Sequence, residues 1–115
     1  MSIQFGSIEV YPNTQLDLVK CDSLFIAGDL NGTGQIINQK TIIYNGSKKQ
    51  SIKKLNYHSL IYNNQGTDSC LLSGTNLIDT LIIQNGSLIL GSSTVNNSTI
   101  QKKGKLIIRS GSPVF

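Results

Sequence analysis

The side chains able to do acid–base or metal chemistry are few and spread along the chain. They are six carboxylates (Glu9, Asp17, Asp22, Asp29, Asp68 and Asp79), one histidine, His58, and two cysteines, Cys21 and Cys70. Polysaccharide cleavage needs an acid and a base facing one sugar, so its carboxylates must converge. Only Asp22 and Asp79 hold equivalent places, each two residues before an apolar triplet. The repeat described below sets them three coils apart, about 14 Å at the ~4.8 Å strand spacing, too far to act on one bond. His58 has no evident acidic partner to tune it as a base. No serine stands in a nucleophile-elbow context. These residues point to a non-enzymatic chain with no catalytic site. The cysteines sit beside apolar residues in strand-like stretches, which predicts two buried free thiols. No zinc-ligand spacing occurs, and the turns carry Asn-Gly-Ser where a calcium-binding β-roll places Asp. No metal and no cofactor are expected.

Basic residues outnumber acidic ones, ten to six, and the formal charge is +4. Lys48, Lys49, Lys53 and Lys54 form one run, and Lys102, Lys103 and Lys105 another. A nucleic-acid surface interleaves such runs with aromatic residues or Arg. Tyr57 and Arg109 are the only ones close by, so the lysines read as solvated loop residues and no nucleic-acid partner is expected. Anionic surface glycans remain a candidate partner. A glycan groove would draw on Tyr11, Tyr44, Tyr57 and Tyr62, the only tyrosines. An ice-binding face would need a Thr-x-Thr ladder, which the eight dispersed threonines never form.

What must position any site is a β framework. Ile and Leu carry most of the 38% apolar content, aromatics reach only 6%, and Gly, Asn and Ser recur throughout. Branched aliphatics favour pleated sheets, and the other three types reverse the backbone cheaply. No window shows helical apolar periodicity, so no helix is expected. Five segments share an apolar triplet followed by a polar turn, starting at Leu24, Ile42, Leu60, Leu81 and Leu106; a weaker one starts at Ile8. The successive spacings are 16, 18, 18, 21 and 25 residues. Shorter strand-like pieces lie between them at 16–18, 35–37, 70–72, 87–90 and 99–100, and Asn31-Gly32, Asn45-Gly46 and Asn85-Gly86 mark bends. A coil of about 18 residues holds three short strands. The fold predicted is all-β: a right-handed parallel β-helix (β-solenoid) of about five to six short coils. Residues 1–115 form its single domain.

Alternation along a strand then divides each triplet. With Leu24, Ile26 and their equivalents inside, Phe25, Ile43, Ile61, Ile82 and Ile107 stack as an apolar stripe outside. Strands apolar on both faces normally have both faces covered, so this stripe is the predicted interface.

The run Thr41 to Ile52 (TIIYNGSKKQSI), followed by Leu55 to Ile61 (LNYHSLI), resembles a recurring phrase of large cell-surface proteins of Bacteroidota. Leu81 to Gly91 (LIIQNGSLILG) is similar to their next phrase, and Leu24 to Gly34 to an earlier one. The resemblance extends from about Ile8 to Ser112. It implies a pectin-lyase-like or haemagglutinin-like β-helix in an exported adhesin or matrix protein. Asp22-Ser23-Leu24 and Asp79-Thr80-Leu81 also resemble the short O-glycosylation signal of those bacteria. The chain departs from that family by starting with Met inside the repeat array and by carrying no sorting domain. Its opening lacks the basic and apolar regions of a signal peptide, and no apolar stretch is long enough for membrane insertion. The expectation is a segment of a longer repeat protein, extracellular or at the cell surface. Its work is structural or adhesive, with stacking into fibres as one form of it, and its partner is itself or neighbouring repeats. A carbohydrate- or receptor-binding solenoid, such as a phage fibre piece, is the alternative.

Overall fold

The computed structural model describes Met1–Phe115 and contains eleven strands and no helix. All strand pairs are parallel. One face is a continuous sheet in the order β1 (Ser2–Phe5), β4 (Ser23–Ile26), β7 (Thr41–Tyr44), β8 (Tyr57–Asn63), β10 (Leu77–Leu90) and β11 (Thr94–Ile107). Each of these strands opens a new turn, so the chain is a β-solenoid of about six coils. The other faces are shorter. β2 (Ile8–Glu9) pairs with β5 (Leu30–Asn31), and β3 (Gln15–Asp17) with β6 (Gln35–Ile37). In the later coils β9 (Cys70–Leu72) stacks beneath Leu88–Leu90 of β10, which in turn carries the end of β11.

The first two coils need three faces because polar bends separate short strands. In the fifth coil β10 runs through its corner, and a register irregularity between Ile83 and Asn85 absorbs the bend. Gly86 makes that corner possible. Its φ is 84°, and a Cβ there would press on the carbonyl oxygen of Asn64.

Inside the sheet face, stacked side chains form two columns. Ile3, Leu24, Ile42, Leu60 and Leu81 make one, ending on Ser98; Phe5, Ile26, Tyr44, Tyr62, Ile83 and Ile100 make the other. All their members from β4 to β10 are fully buried. Stacking brings apolar side chains into contact at the strand spacing, two tyrosine rings among them, and removes the middle members of both columns from water.

The Leu24, Ile42, Leu60 and Leu81 register matches the expected rungs, but Leu106 does not belong with them. Leu81 pairs with Ser98, and Leu106 pairs with Leu88 on the following face. The reason is local. The sheet-face strand of the last coil reads Asn97, Ser98, Thr99, Ile100, a polar run without the triplet, so the apolar pattern re-emerges one face later. Ile8 is displaced likewise, since the first coil enters the column through Ile3.

Candidate functional site

The outer side of the six-strand face is the surface the fold displays most regularly. Three columns run along it. At its edge stand Asp22, Lys40, His58, Asp79 and Asn96, each just before or early in its strand. Next come Ser2, Ser23, Thr41, Ser59, Thr80 and Asn97, and beyond them Gln4, Phe25, Ile43, Ile61, Ile82 and Thr99. Alternation puts the last two columns outside because their strand neighbours fill the core.

Four of the five residues expected in the apolar stripe are brought together. Phe25, Ile61 and Ile82 are half-buried and Ile43 is 6% exposed, yet none belongs to the core cluster. They cover one another along the stack. Ile107 is a correction. It pairs with Ile89, which pairs with Leu71, so it continues a separate outward column on the second face. In the stripe its place is taken by Thr99, and the apolar column stops at Ile82. The polar run of the last coil again causes the difference.

The edge column is charged. Asp22 accepts from the Met1 amino group at 2.5 Å and from Lys40 Nζ at 3.3 Å, and these two cations, the first most of all, hold its carboxyl below the usual range. His58 Nδ1 lies 3.8 Å from Asp79 Oδ2, so it does have an acidic partner one coil away. Sequence neighbours do not reveal it, because stacking joins residues a whole coil apart. Both side chains are at least half exposed, and such a pair contributes at most about 1 kcal/mol. Asp79 also accepts from Asn96 Nδ2 at 3.2 Å. On another corner Asp17 accepts from Asn38 Nδ2 at 3.0 Å and from the Val19 amide, and the Asn38 bond chiefly lowers its carboxyl. Asp17, Asp22, Asp29 and Asp79 thus each have a separate local partner, and no three of the His, Cys, Asp and Glu side chains gather into a ligand cluster.

Amide ladders mark the bends: Gln15 Nε2 donates to Gln35 Oε1 at 2.8 Å, and Asn85 Nδ2 to Asn63 Oδ1 at 2.7 Å. Such stacking along parallel strands is the cross-β pattern. Ser23 and Thr80, the two residues of the glycosylation-like triplets, both lie in the outward hydroxyl column and are half-buried. Lys48 and Lys49 project from the strandless loop of the third coil, and Lys103 and Lys105 stand beside Asn85 and Ser87.

Three of the four tyrosines are not on the surface. Tyr44, Tyr57 and Tyr62 are buried, and burial raises the pKa of each. Only Tyr11 is open to solvent, so the tyrosines line no outer groove. Cys21 and Cys70 are free and buried, as expected.

Composition also conceals a set of internal polar groups. Gln50, 3% exposed, donates through Nε2 to the carbonyls of Ile26 (2.8 Å) and Gly28 (2.6 Å). Its Oε1 accepts from Gly46 N–H (2.9 Å) and Asn64 Nδ2 (3.0 Å). It ties three coils where the third has no strand. Asn76 does similar work, accepting from Leu55 N–H at 3.0 Å and donating to the Ser73 carbonyl and Ser93 Oγ. The one available signal is an interruption: residues 45–56 have no apolar triplet to pair with their neighbours.

A scan of protein-family models gives no match to this chain, and neither curated proteins nor solved structures yield one.

Proposed function

We propose that this chain is a structural, adhesive β-solenoid module of a cell-surface or extracellular assembly, and that it works by packing against itself rather than by catalysis. The observation that carries the reading is the outward column Phe25, Ile43, Ile61 and Ile82, four apolar residues in adjacent coils on the one uninterrupted sheet. A regular apolar stripe on a flat face suits lateral packing on a second copy. The resemblance of its phrases to Bacteroidota surface repeats agrees with this role. The buried tyrosines weigh against the glycan-binding alternative, which needs an aromatic platform.

The test is to change Ile43, Ile61 and Ile82 together to Thr. Thr keeps the branched Cβ that sheets favour while removing apolar area. Wild type should sediment as a dimer or larger species, and the triple variant should lose that lateral contact while keeping its β signal in circular dichroism. Wild type and variant that associate identically would overturn the reading.

A further inference from the structure

We propose that the corner following the second face is a groove that binds an acidic polysaccharide laid along the axis of the stack. This surface is separate from the apolar stripe, and the inference does not rest on lateral packing.

All three cavities of the molecule open on this one corner, with volumes of about 560, 420 and 330 Å³. The first and second share Thr33. Lys54 joins the second to the third: it lines the second, and its stem leans on Gly74, which lines the third. A Cβ on Gly74 would lie 2.9 Å from Lys54 Cε, and one on Gly91 would lie 3.2 Å from the Gly74 nitrogen. Lys54, Gly74 and Gly91 therefore stack in the third, fourth and fifth coils, and the missing side chains keep the corner recessed. From Thr33 to Gly91 the groove crosses three coil steps, about 14 Å at the strand spacing. That stretch lies inside the stack, with a further coil beyond it on either side.

The middle cavity is a fault in the backbone ladder. Leu30 N–H donates to the Ser51 carbonyl at 3.1 Å, but the pairing goes no further. The third coil turns instead toward the fourth, where Leu55 N–H donates to Asn76 Oδ1 at 3.0 Å. The amides of Gly32, Thr33, Lys53 and Lys54 are left without an acceptor in the chain. Lys53 Nζ spans the gap to the Gly32 carbonyl and keeps two N–H donors free. Unpaired amides and an ammonium group around one cavity favour an oxyanion.

The rest of the lining narrows the ligand. None of the six carboxylates lines any of the three cavities, and neither Lys53 nor Lys54 is ion-paired. Asp29, next to Leu30, is engaged by the Ser51 amide at 2.8 Å. Asn31, Thr33, Ser73 and Thr75 add amide and hydroxyl groups suited to a polyhydroxylated chain. No aromatic ring stands among them, so neither a neutral sugar nor a nucleobase finds a stacking platform. An acidic polysaccharide needs none. The lysines and free amides take its carboxylate or sulfate groups, and the amide and hydroxyl side chains take its hydroxyls.

Calorimetric titration at about 50 mM salt tests the groove. The probes are heparin as a sulfated polysaccharide, polygalacturonate as a carboxylated one, dextran as a neutral one, and a single-stranded oligonucleotide. Wild type should bind an acidic polysaccharide and leave dextran and the oligonucleotide unbound. Its preference between heparin and polygalacturonate identifies sulfate or carboxylate as the group held. Lys53→Gln with Lys54→Gln should weaken binding by about tenfold or more, and Thr75→Glu, which sets an acid in the groove, should do the same. Charge-matched changes outside it, Lys102→Gln with Lys103→Gln and Thr67→Glu, should stay within about twofold. If the lysine pair loses the β signal in circular dichroism, Lys54→Gln alone is read in its place. Outside changes that weaken binding as much as the groove changes would overturn the proposal. So would dextran or the oligonucleotide bound as tightly, or no binding to either acidic polymer. The Ile43→Thr, Ile61→Thr, Ile82→Thr variant should bind like wild type, so the groove and the lateral contact fail separately.

Discussion

The phenolic oxygens of Tyr44 and Tyr57 meet at 2.8 Å inside the solenoid, their rings edge to face with centroids 6.4 Å apart. Tyr57 gives its proton to the Lys53 carbonyl at 2.6 Å, so Tyr44 must be the donor between them. The two hydroxyls are therefore not equivalent. Tyr57→Phe leaves both the Tyr44 donor and the Lys53 carbonyl unpaired, at about 1–3 kcal/mol for each group that stays buried. Tyr44→Phe leaves the bond to Lys53 intact and should cost less than about 1.5 kcal/mol. Urea melts of the two variants check the order, and equal losses would contradict the assigned direction.

The same burial predicts an alkaline limit. The folded protein holds Tyr44, Tyr57 and Tyr62 in their neutral forms, with pKa values above the ordinary 10.0. A raised folded pKa means that the native state binds the proton more tightly. Its stabilisation is complete below pH 10 and is lost as pH rises above it, when the unfolded chain ionises first. Denaturation midpoints should be flat up to about pH 9 and fall beyond about pH 10. Tyr62→Phe, which also removes a buried hydroxyl without a hydrogen-bond partner, should flatten that fall. A pH-independent midpoint in wild type would argue that these rings are hydrated.

Truncating the columns should be costly in the middle and cheap outside. Leu81→Ala and Ile83→Ala empty fully buried positions and should each destabilise by about 2–5 kcal/mol. Lys48→Ala and Lys49→Ala alter exposed loop residues and should change stability by less than about 0.5 kcal/mol. Indistinguishable midpoints for the two sets would misplace the interior.

Gln50 offers a sharper comparison. Gln50→Leu strands the Gly28 carbonyl and the Gly46 amide and takes one of two donors from the Ile26 carbonyl, which keeps the Asn45 amide, a loss of about 2–4 kcal/mol after partial relaxation. Gln65→Leu removes only an exposed bond to Asn63 and should be near neutral. Amide hydrogen exchange should locate the Gln50 effect in the second to fourth coils. Uniform loosening of the whole chain would contradict a local staple.

Which parts of this architecture could be read from the amino-acid types follows from how a solenoid is coded. Leu24, Ile42, Leu60 and Leu81 repeat the same apolar triplet in the same register, so their pairing and the absence of helix were legible. The end coils were not, because Ile3 enters on a strand with Gln4 beside it, and Ser98 stands among polar residues. The apolar pattern in the sequence therefore points to Ile8 and Leu106 instead of Ile3 and Ser98, and assigns Ile107 to the wrong column. The surface suffered a similar loss. His58 and Asp79 are far apart in the chain yet one coil apart in space, and Tyr44 looks like any polar-tipped aromatic until Tyr57 is seen to receive its proton and to pass its own to the Lys53 carbonyl.

Along the sheet face, ladder partners are separated by 21, 18, 18, 21 and 17 residues from Ile3 to Ser98. Every coil thus closes a loop of nearly the same size, and loop-closure entropy changes only slowly with length. Growth by one coil costs much the same wherever the growing end stands, as in a one-dimensional lattice with neighbour coupling. Pulled by its two ends, such a chain should not yield all at once. It should unspool turn by turn, each event releasing about 55–75 Å of contour, the reach of 17 to 21 extended residues. A force trace with a regular saw-tooth of that step would make the coil, rather than the domain, the unit of mechanical failure.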